Sequence, residues 1–355
     1  MTRTLVVAPQ WIGDAVMAEP LLATLAERGD AVTVATLPWV APVFEAMPEV
    51  TATVVLPFAH GRLDWSARRR VAASLRGRFD AAYVLPNSFK AALLPWLAKI
   101  PRRVGYRGEG RALLLTERHE QPRGRPPMVP FYGVLAGDGF DARRRPRLQL
   151  PRERIAAVAA AHGLQPTSYW TFAPGAEYGP AKRWPAPHYA ALARALHARD
   201  HAPVVLLGSP GEAALCDEIA AQAAGAGVVL AGRASLVDAI ALIAGSRGLA
   251  SNDSGLMHVA AGLGVAQVAV FGSTSPLHTP PLNERARVVW LKDELQLGCM
   301  PCFDRTCRFG HYRCLTAVTP DRVLDALDAV ERPSTAPLPR GGSGWGGSSP
   351  DPACR

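Results

Sequence analysis

The sequence predicts an α/β protein made of two doubly wound parallel halves that face each other across a cleft. Three observations carry this. Short apolar runs alternate with segments of helical length along most of the chain. The runs end in loops rich in Gly, Pro, Asn and Ser, where a strand gives way to a turn. The alternation breaks at Gly163-Leu164-Gln165-Pro166-Thr167 and then restarts, which divides the chain into residues 1–165 and 166–331. A chain of 355 residues is long enough for both halves to bury a core.

In the first half, residues 4–8 read as a strand, 9–14 as its loop and 15–27 as a helix with Pro20 near its start. Strands follow at 31–36, 54–56 and 81–85, with helices near 40–46, 66–75 and 89–99. Asn87 or Ser88 is the expected cap of the last of these. Residues 102–147 are Arg-, Gly- and Pro-rich and show no clear period. The apolar residues 148–150 and a helix at 152–161 complete the half. In the second half, strands are expected at 169–173, 204–207, 228–230, 248–250, 265–271 and 288–291. Helices are expected at 186–198, 212–223, 236–244 and 321–330, with a buried one after residue 254. The tail, 332–355, is Pro, Gly and Ser with almost nothing to bury and reads as disordered.

The formal charge of +9 is carried mostly by Arg, with Arg68-Arg69-Arg70 the densest run. It points to an anionic substrate or an anionic membrane surface. No basic run interleaved with aromatics and no nucleic-acid module is present, so no nucleic-acid partner is expected. No apolar run reaches the ~20 residues of a membrane span. The first residues lack the apolar core of a secretory signal, so a cytoplasmic location is expected.

In a doubly wound half the chemistry sits in the loops at the carboxyl ends of the strands. None of these loops carries G-x-G-x-x-G or G-x-x-x-x-G-K-[ST], which disfavours nicotinamide and flavin enzymes and P-loop NTPases. The long loop at 174–185 carries Gly for close approach, then Lys182 and Arg183; a Lys is a compact charge suited to phosphate. The stretch Ser251-Asn252-Asp253-Ser254-Gly255-Leu256-Met257-His258 is a strand-to-helix turn, whose free N–H groups seat anions. By itself it reads equally well as an ordinary capped turn. Asp14 fits a general base at the cleft or an N-cap, and Glu212 fits a ribose acceptor or a first-turn acid. There is no D-x-D motif, so Lys182 and backbone amides would carry a leaving diphosphate. Cys299-x2-Cys302-x4-Cys307-x6-Cys314 has the spacing of a structural metal site, zinc before iron–sulfur, or of packed thiols.

Taken together, the segments Pro9-Gln10-Trp11-Ile12-Gly13-Asp14, Tyr83-Val84-Leu85-Pro86-Asn87-Ser88-Phe89-Lys90, the loop at 174–185, Asn252 through His258, and Ser275-Pro276 with Thr279-Pro280-Pro281 resemble glycosyltransferase family 9, the ADP-heptose–lipopolysaccharide heptosyltransferases. The resemblance is strongest to members that add the second heptose and covers roughly residues 1–331. It implies a GT-B fold of two Rossmann-like domains, acceptor site first and donor site second. It implies inverting, metal-independent transfer from ADP-heptose to a Kdo–lipid A core bearing one heptose, with no required cofactor, a structural zinc at most, and peripheral contact with the inner membrane. Asp14 matches the family's catalytic base and Lys182 its diphosphate ligand. Glu177, Ser209, Glu212, Asn252, Asp253, Ser254, Gly255, Leu256 and His258 match the donor side, and Asn87, Ser88 and Lys90 the acceptor side. Two alternatives stay open: transfer of the first heptose to Kdo or use of another nucleotide sugar, and a metal- or nucleic-acid-binding protein built on the cysteines.

Overall fold

The computed structural model describes residues 1–58 and 63–331; the tail expected to be disordered lies outside them. In the first half, β1 (Arg3–Val7), β2 (Ala31–Thr36), β3 (Val50–Val55), β4 (Ala81–Val84), β5 (Arg102–Tyr106) and β6 (Glu117–His119) form one sheet. Its order is β3-β2-β1-β4-β5-β6. In the second half, β7 (Trp170–Ala173), β8 (Val204–Leu206), β9 (Gly227–Val229), β10 (Leu249–Asn252), β11 (Gln267–Val270) and β12 (Ala286–Val289) form another, ordered β12-β11-β10-β7-β8-β9. The strand pairings in both sheets are parallel.

These orders locate the chemistry. The first sheet grows from β1 to β3 in one direction, then returns to place β4 on β1's other side. The second does the same between β7 and β10. Such a switch point opens a crevice beyond the strand ends. The four loops at the two switch points follow β1, β4, β7 and β10. The central strands read as continuous apolar runs because helices cover both faces, and β4, β7 and β10 are buried throughout.

The helices of the first half are α1 (Ile12–Met17), α2 (Glu19–Glu27), α3 (Ala41–Glu45), α4 (Trp65–Leu75), α5 (Phe89–Leu97) and α6 (Met128–Gly133), and α7 (Arg152–Ala161) leads into the second. There, α8 (Ala186–Asp200), α9 (Ala213–Gln222), α10 (Leu236–Ala244) and α11 (Gly255–Gly262) follow their strands, and a helix at Pro320–Glu331 closes the fold.

Two readings need correction. The helix expected at 15–27 is two helices meeting at Ala18, and the first begins at Ile12. Pro20, at the start of α2, has no N–H to donate and its ring opposes a carbonyl one turn earlier, so a continuous helix breaks there. Residues 148–150 lie outside the strands and helices. Leu148 N–H donates to the Gly262 carbonyl (2.8 Å) and Gln149 N–H to that of Ala46 (2.8 Å), so the segment ties helix ends of the two halves together. The Arg-rich stretch without clear period holds β5, β6 and α6.

The halves meet through α1 and α11. A Cβ on Gly13 would lie 2.8 Å from the His258 ring, one on Gly255 2.8 Å from Ile12 Cβ, and one on Gly262 2.9 Å from Leu148 Cγ. Glycine at these three positions lets the helices approach closely. The largest apolar cluster runs through this contact, joining Val16 and Leu22 to Val259 and Ala260.

Candidate active site

Asp14 is the third residue of α1, whose N-cap is Trp11, so Asp14 does not cap the helix. It sits half-buried where α1 meets α11. Burial raises its carboxyl to about 6, with Lys182 pulling the other way and Asp253 adding to the rise. One carboxylate of the first half thus senses a cation and an anion of the second. Tyr132 on α6 lies close enough for the Asp14 charge to be felt at its phenol, which burial pushes well up.

Asp253 follows β10 directly and is almost wholly buried. Lys182 Nζ reaches its Oδ2 at 2.5 Å and approaches its carbonyl at 3.5 Å. Thr274 Oγ1 donates to Oδ2 (2.7 Å) and Thr279 Oγ1 to Oδ1 (3.4 Å). A buried charge pair is tolerated when its remaining lone pairs are met in this way. The Lys182 ammonium also stands 5.0 Å from the centre of the Tyr178 ring. The N-cap of α11 is Ser254, whose side chain makes no capping bond and whose hydroxyl is buried without a partner. Asp253 therefore serves Lys182 and the threonines, not the helix. The first N–H groups of α11 and the Ser254 hydroxyl are the donors left for an anion.

Asn252 is fully buried and its amide is engaged on all sides. It donates to the Pro174 carbonyl (2.6 Å) and accepts from Trp184 N–H (2.9 Å) and Tyr189 OH (3.1 Å). It pins the 174–185 loop against β10 and so fixes where Lys182 stands. His258 is buried against Gly13, and burial lowers its imidazole to about 4, so it is neutral at physiological pH. Leu256 is half-buried on the first turn of α11.

Glu212 takes the role of a cap. Its Oε2 accepts from Ser209 N–H (2.8 Å) and Ser209 Oγ (3.0 Å), a reciprocal capping box. The carboxylate lies over Gly175, where a Cβ would fall 1.8 Å from Oε1. Ser209 and Glu212 therefore border the 174–185 loop, while Glu177 is exposed on it.

In the loop after β4, Asn87 Oδ1 accepts from Arg111 Nη2 at 2.9 Å, and Arg111 also donates to the carbonyls of Tyr106 (2.7 Å) and Pro86. Arg111 is fully buried, which lowers its guanidinium to about 10. Ser88 is the N-cap of α5 without a side-chain bond. The Lys90 carbonyl accepts from Arg68 Nη1 at 2.8 Å, and the residue is half-buried.

Cys299, Cys302, Cys307 and Cys314 line one cavity of about 20 Å³ with Asp304 and His311. Backbone N–H groups of Phe309, Gly310, His311 and Tyr312 point at the Cys307 sulfur and hold its thiol below the usual range. Burial pushes the Cys314 thiol up to about 11. Among the described residues, no three His, Cys, Asp or Glu side chains are gathered so as to hold a metal ion. The segment does support the 174–185 loop and the loop after β11. Ala181 N–H donates to the Arg305 carbonyl (3.0 Å), Phe303 N–H to that of Ser273 (2.7 Å), and Tyr178 OH to that of Phe303.

Sequence reasoning missed Thr274, Thr279, Tyr178, Tyr132 and Arg111. The loop after β11 and the 174–185 loop were singled out, but which of their side chains meet Asp253 and Lys182 depends on the fold.

The profile of glycosyltransferase family 9 (heptosyltransferase) matches residues 68–313. A lipopolysaccharide heptosyltransferase 2 of Escherichia coli is 38% identical over 346 residues, 92% of this chain and 98% of its own length. A lipooligosaccharide heptosyltransferase 2 of Haemophilus ducreyi is 36% identical over 351 residues, 92% of this chain and 99% of its own. The solved structure of E. coli ADP-heptose lps heptosyltransferase II superposes with a TM-score of 0.81 at 37% identity, covering 93% of this chain and 98% of that one. With its two parallel six-stranded sheets arranged as a GT-B fold, this chain belongs to glycosyltransferase family 9.

Proposed function

We propose that the protein transfers heptose from ADP-L-glycero-D-manno-heptose to the first heptose of the lipopolysaccharide inner core. The relatives that match over nearly their whole length carry the second-heptose name, which favours this acceptor over Kdo itself. The observation that carries the mechanism is the close packing of α1, which bears Asp14, on α11, which follows Asp253: Gly13 abuts the His258 ring and Gly255 abuts Ile12.

In this reading the Asp14 carboxylate takes the proton from a hydroxyl of the acceptor heptose. That oxygen attacks C1 of the donor sugar from the face opposite the diphosphate, and the bond from C1 to the diphosphate oxygen breaks with inversion. ADP departs with its new charge facing Lys182, the amides at the start of α11 and Ser254. Asp253, steadied by Thr274 and Thr279, faces the heptose hydroxyls. Glu212 and Ser209 lie on the ribose side, with Glu177 and His258 beside the donor. Asn87, Ser88 and Lys90 receive the acceptor. No step needs a cofactor.

The acceptor is a glycolipid, so the enzyme works as a cytoplasmic protein in peripheral contact with the inner membrane. The four cysteines have the spacing of a structural zinc site and share one cavity, although as they stand no three of them are gathered to hold the ion, so zinc binding would draw them together. Metal analysis of the purified protein tests this. One zinc per chain, whose chelation lowers Tm, supports it; four thiols that alkylate freely in metal-free folded protein overturn it.

The test of the function is incubation with ADP-heptose and lipopolysaccharide cores carrying no heptose or one. Transfer only to the one-heptose core is expected. Transfer to the heptose-free core, or no transfer from ADP-heptose while another nucleotide sugar serves, would replace this reading.

A further inference from the structure

In a parallel sheet all carboxyl ends lie on one edge. On that edge of the first sheet, the loop after each strand from β1 to β5 exposes a large apolar side chain. In sheet order these are Leu63 and Trp65 after β3, Trp39 after β2, Trp11 after β1, Phe89 after β4 and Leu113 after β5. Leu113 is 86% exposed and Trp11 55%. Beyond the strand ends of the second sheet, only Leu277 and Phe309 are of this kind among the described residues.

Hydrogen bonds show that these loops form one rim. Trp39 Nε1 donates to the Gln10 carbonyl at 3.2 Å, beside Trp11. Arg68 donates to the carbonyls of both Leu63 (2.5 Å) and Lys90 (2.8 Å), joining the loops after β3 and β4. Phe89 N–H donates to Glu109 at 3.0 Å, joining the loops after β4 and β5. Single exposed apolar residues need no explanation, but a row of them along one edge does. Cations accompany the row. Arg69 and Arg70 are exposed on α4 and form no ion pair among the described residues, and Lys90 stands at the start of α5.

We propose that this rim is the surface by which the protein sits on an anionic lipid bilayer. Tryptophan rings and leucines enter the headgroup boundary, and unpaired Arg and Lys meet the negative surface charge. The occupant is a membrane and not a protein partner because the apolar groups stand singly on separate loops and exposed Arg69 and Arg70, with Lys90, accompany them. The inference rests on the acceptor being a membrane glycolipid, and it explains why the apolar rim belongs to the acceptor half alone. Seated this way, the first half's switch-point crevice opens at the bilayer.

The test is co-sedimentation with vesicles of phosphatidylglycerol and phosphatidylethanolamine, against vesicles of phosphatidylcholine alone. The wild type is expected to bind the anionic vesicles preferentially, with binding weakened by salt. The triple variant Trp39→Ser, Trp65→Ser, Leu113→Ser is expected to partition about tenfold or more weakly. It should keep wild-type transfer to a deacylated, water-soluble one-heptose acceptor and lose transfer to the same core embedded in vesicles. Arg69→Glu with Leu113→Ser provides the same readout should the triple variant misfold. Equal vesicle binding by these variants and the wild type, or wild-type binding indifferent to lipid charge, overturns the proposal. Failure of the heptosyl reading looks different: the wild type would bind vesicles yet transfer nothing to the deacylated acceptor.

Discussion

The two switch-point crevices have the same backbone plan and opposite surfaces. In the second half, the loops at the crevice are bonded to one another through buried side chains: Asn252 to Pro174 and Trp184, Asp253 to Lys182 and Thr274. In the first, Arg111 ties Asn87 from beneath, but Trp11, Trp39 and Phe89 stand out into solvent. A small charged donor rewards a rigid, preorganised seat, because hydrogen bonds set before binding cost no reorganisation at the reacting moment. A large amphipathic acceptor needs an open mouth. In the proposed reaction, the difference between the halves is one between the substrates they face.

The largest expected effect breaks the rigid side. Lys182→Ala removes the cation that steadies Asp253 and that, in the proposed mechanism, faces the diphosphate. Its kcat/KM is expected to fall by about 10²–10³-fold, with the loss shared between donor binding and turnover. A variant within threefold or so of wild type would show that the second half's seat does not depend on this pair.

The halves also treat buried charge differently. Lys182 and Asp253 neutralise each other, whereas Glu19 on α2 is buried beside Glu49, which adds to the rise that burial causes, and its carboxyl is pushed up to about 8. The Arg147 N–H and the Arg144 and Arg147 charges only partly oppose this. A carboxyl raised from its ordinary 4.5 binds its proton more tightly when folded, so stability is full below that value and declines as pH rises toward 8. Glu19→Gln removes the titration. Tm is expected to rise by several degrees near pH 8 and hardly at all near pH 5, measured by calorimetry. Equal shifts at both pH values would contradict it.

The pH dependence of transfer links the two sides through Asp14. A base must be ionised, and with its carboxyl near 6 the rate at subsaturating substrate is expected to fall about tenfold from pH 7 to pH 5. His258, held near 4, contributes no titration in that range. A flat profile would separate Asp14 from the proton transfer.

The smallest effect sharpens the preorganisation argument. Gly175→Ala puts a Cβ where Glu212 Oε1 lies, and the flexible carboxylate can swing away from Ser209. Tm is expected to drop only slightly, by the worth of a cap of about 1 kcal/mol, while the donor KM rises severalfold. A large loss of Tm with unchanged KM would make the contact purely structural.

The legible parts of the molecule were those where local chemistry and fold agree. Strands β2 and β4 and helices α4, α7 and α10 lie where apolar period and turn residues put them, within a residue or two. Strands β5 and β6 were hidden because Arg-Arg-Val-Gly-Tyr and Glu-Arg-His carry long polar side chains on the sheet's outer margin, where one face stays wet. The site residues on switch-point loops were visible as loops, and their types suggested anion chemistry. What stayed hidden was how they pair. Thr274 and Thr279 stand some twenty residues beyond Asp253 and meet it only because β11 lies beside β10. Asn252 looked like a ligand residue, and only its bonds show that it braces the loop carrying Lys182.

The most direct test of the central claim, that Asp14 of one half completes a donor seat built by the other, is a paired measurement on Asp14→Asn. ADP-heptose binding is measured by calorimetry and heptose transfer under saturating substrates. The account predicts donor affinity within about threefold of wild type and a transfer rate lower by about 10²–10⁴-fold. Transfer near the wild-type rate, or loss of donor binding equal to the loss of transfer, would contradict it.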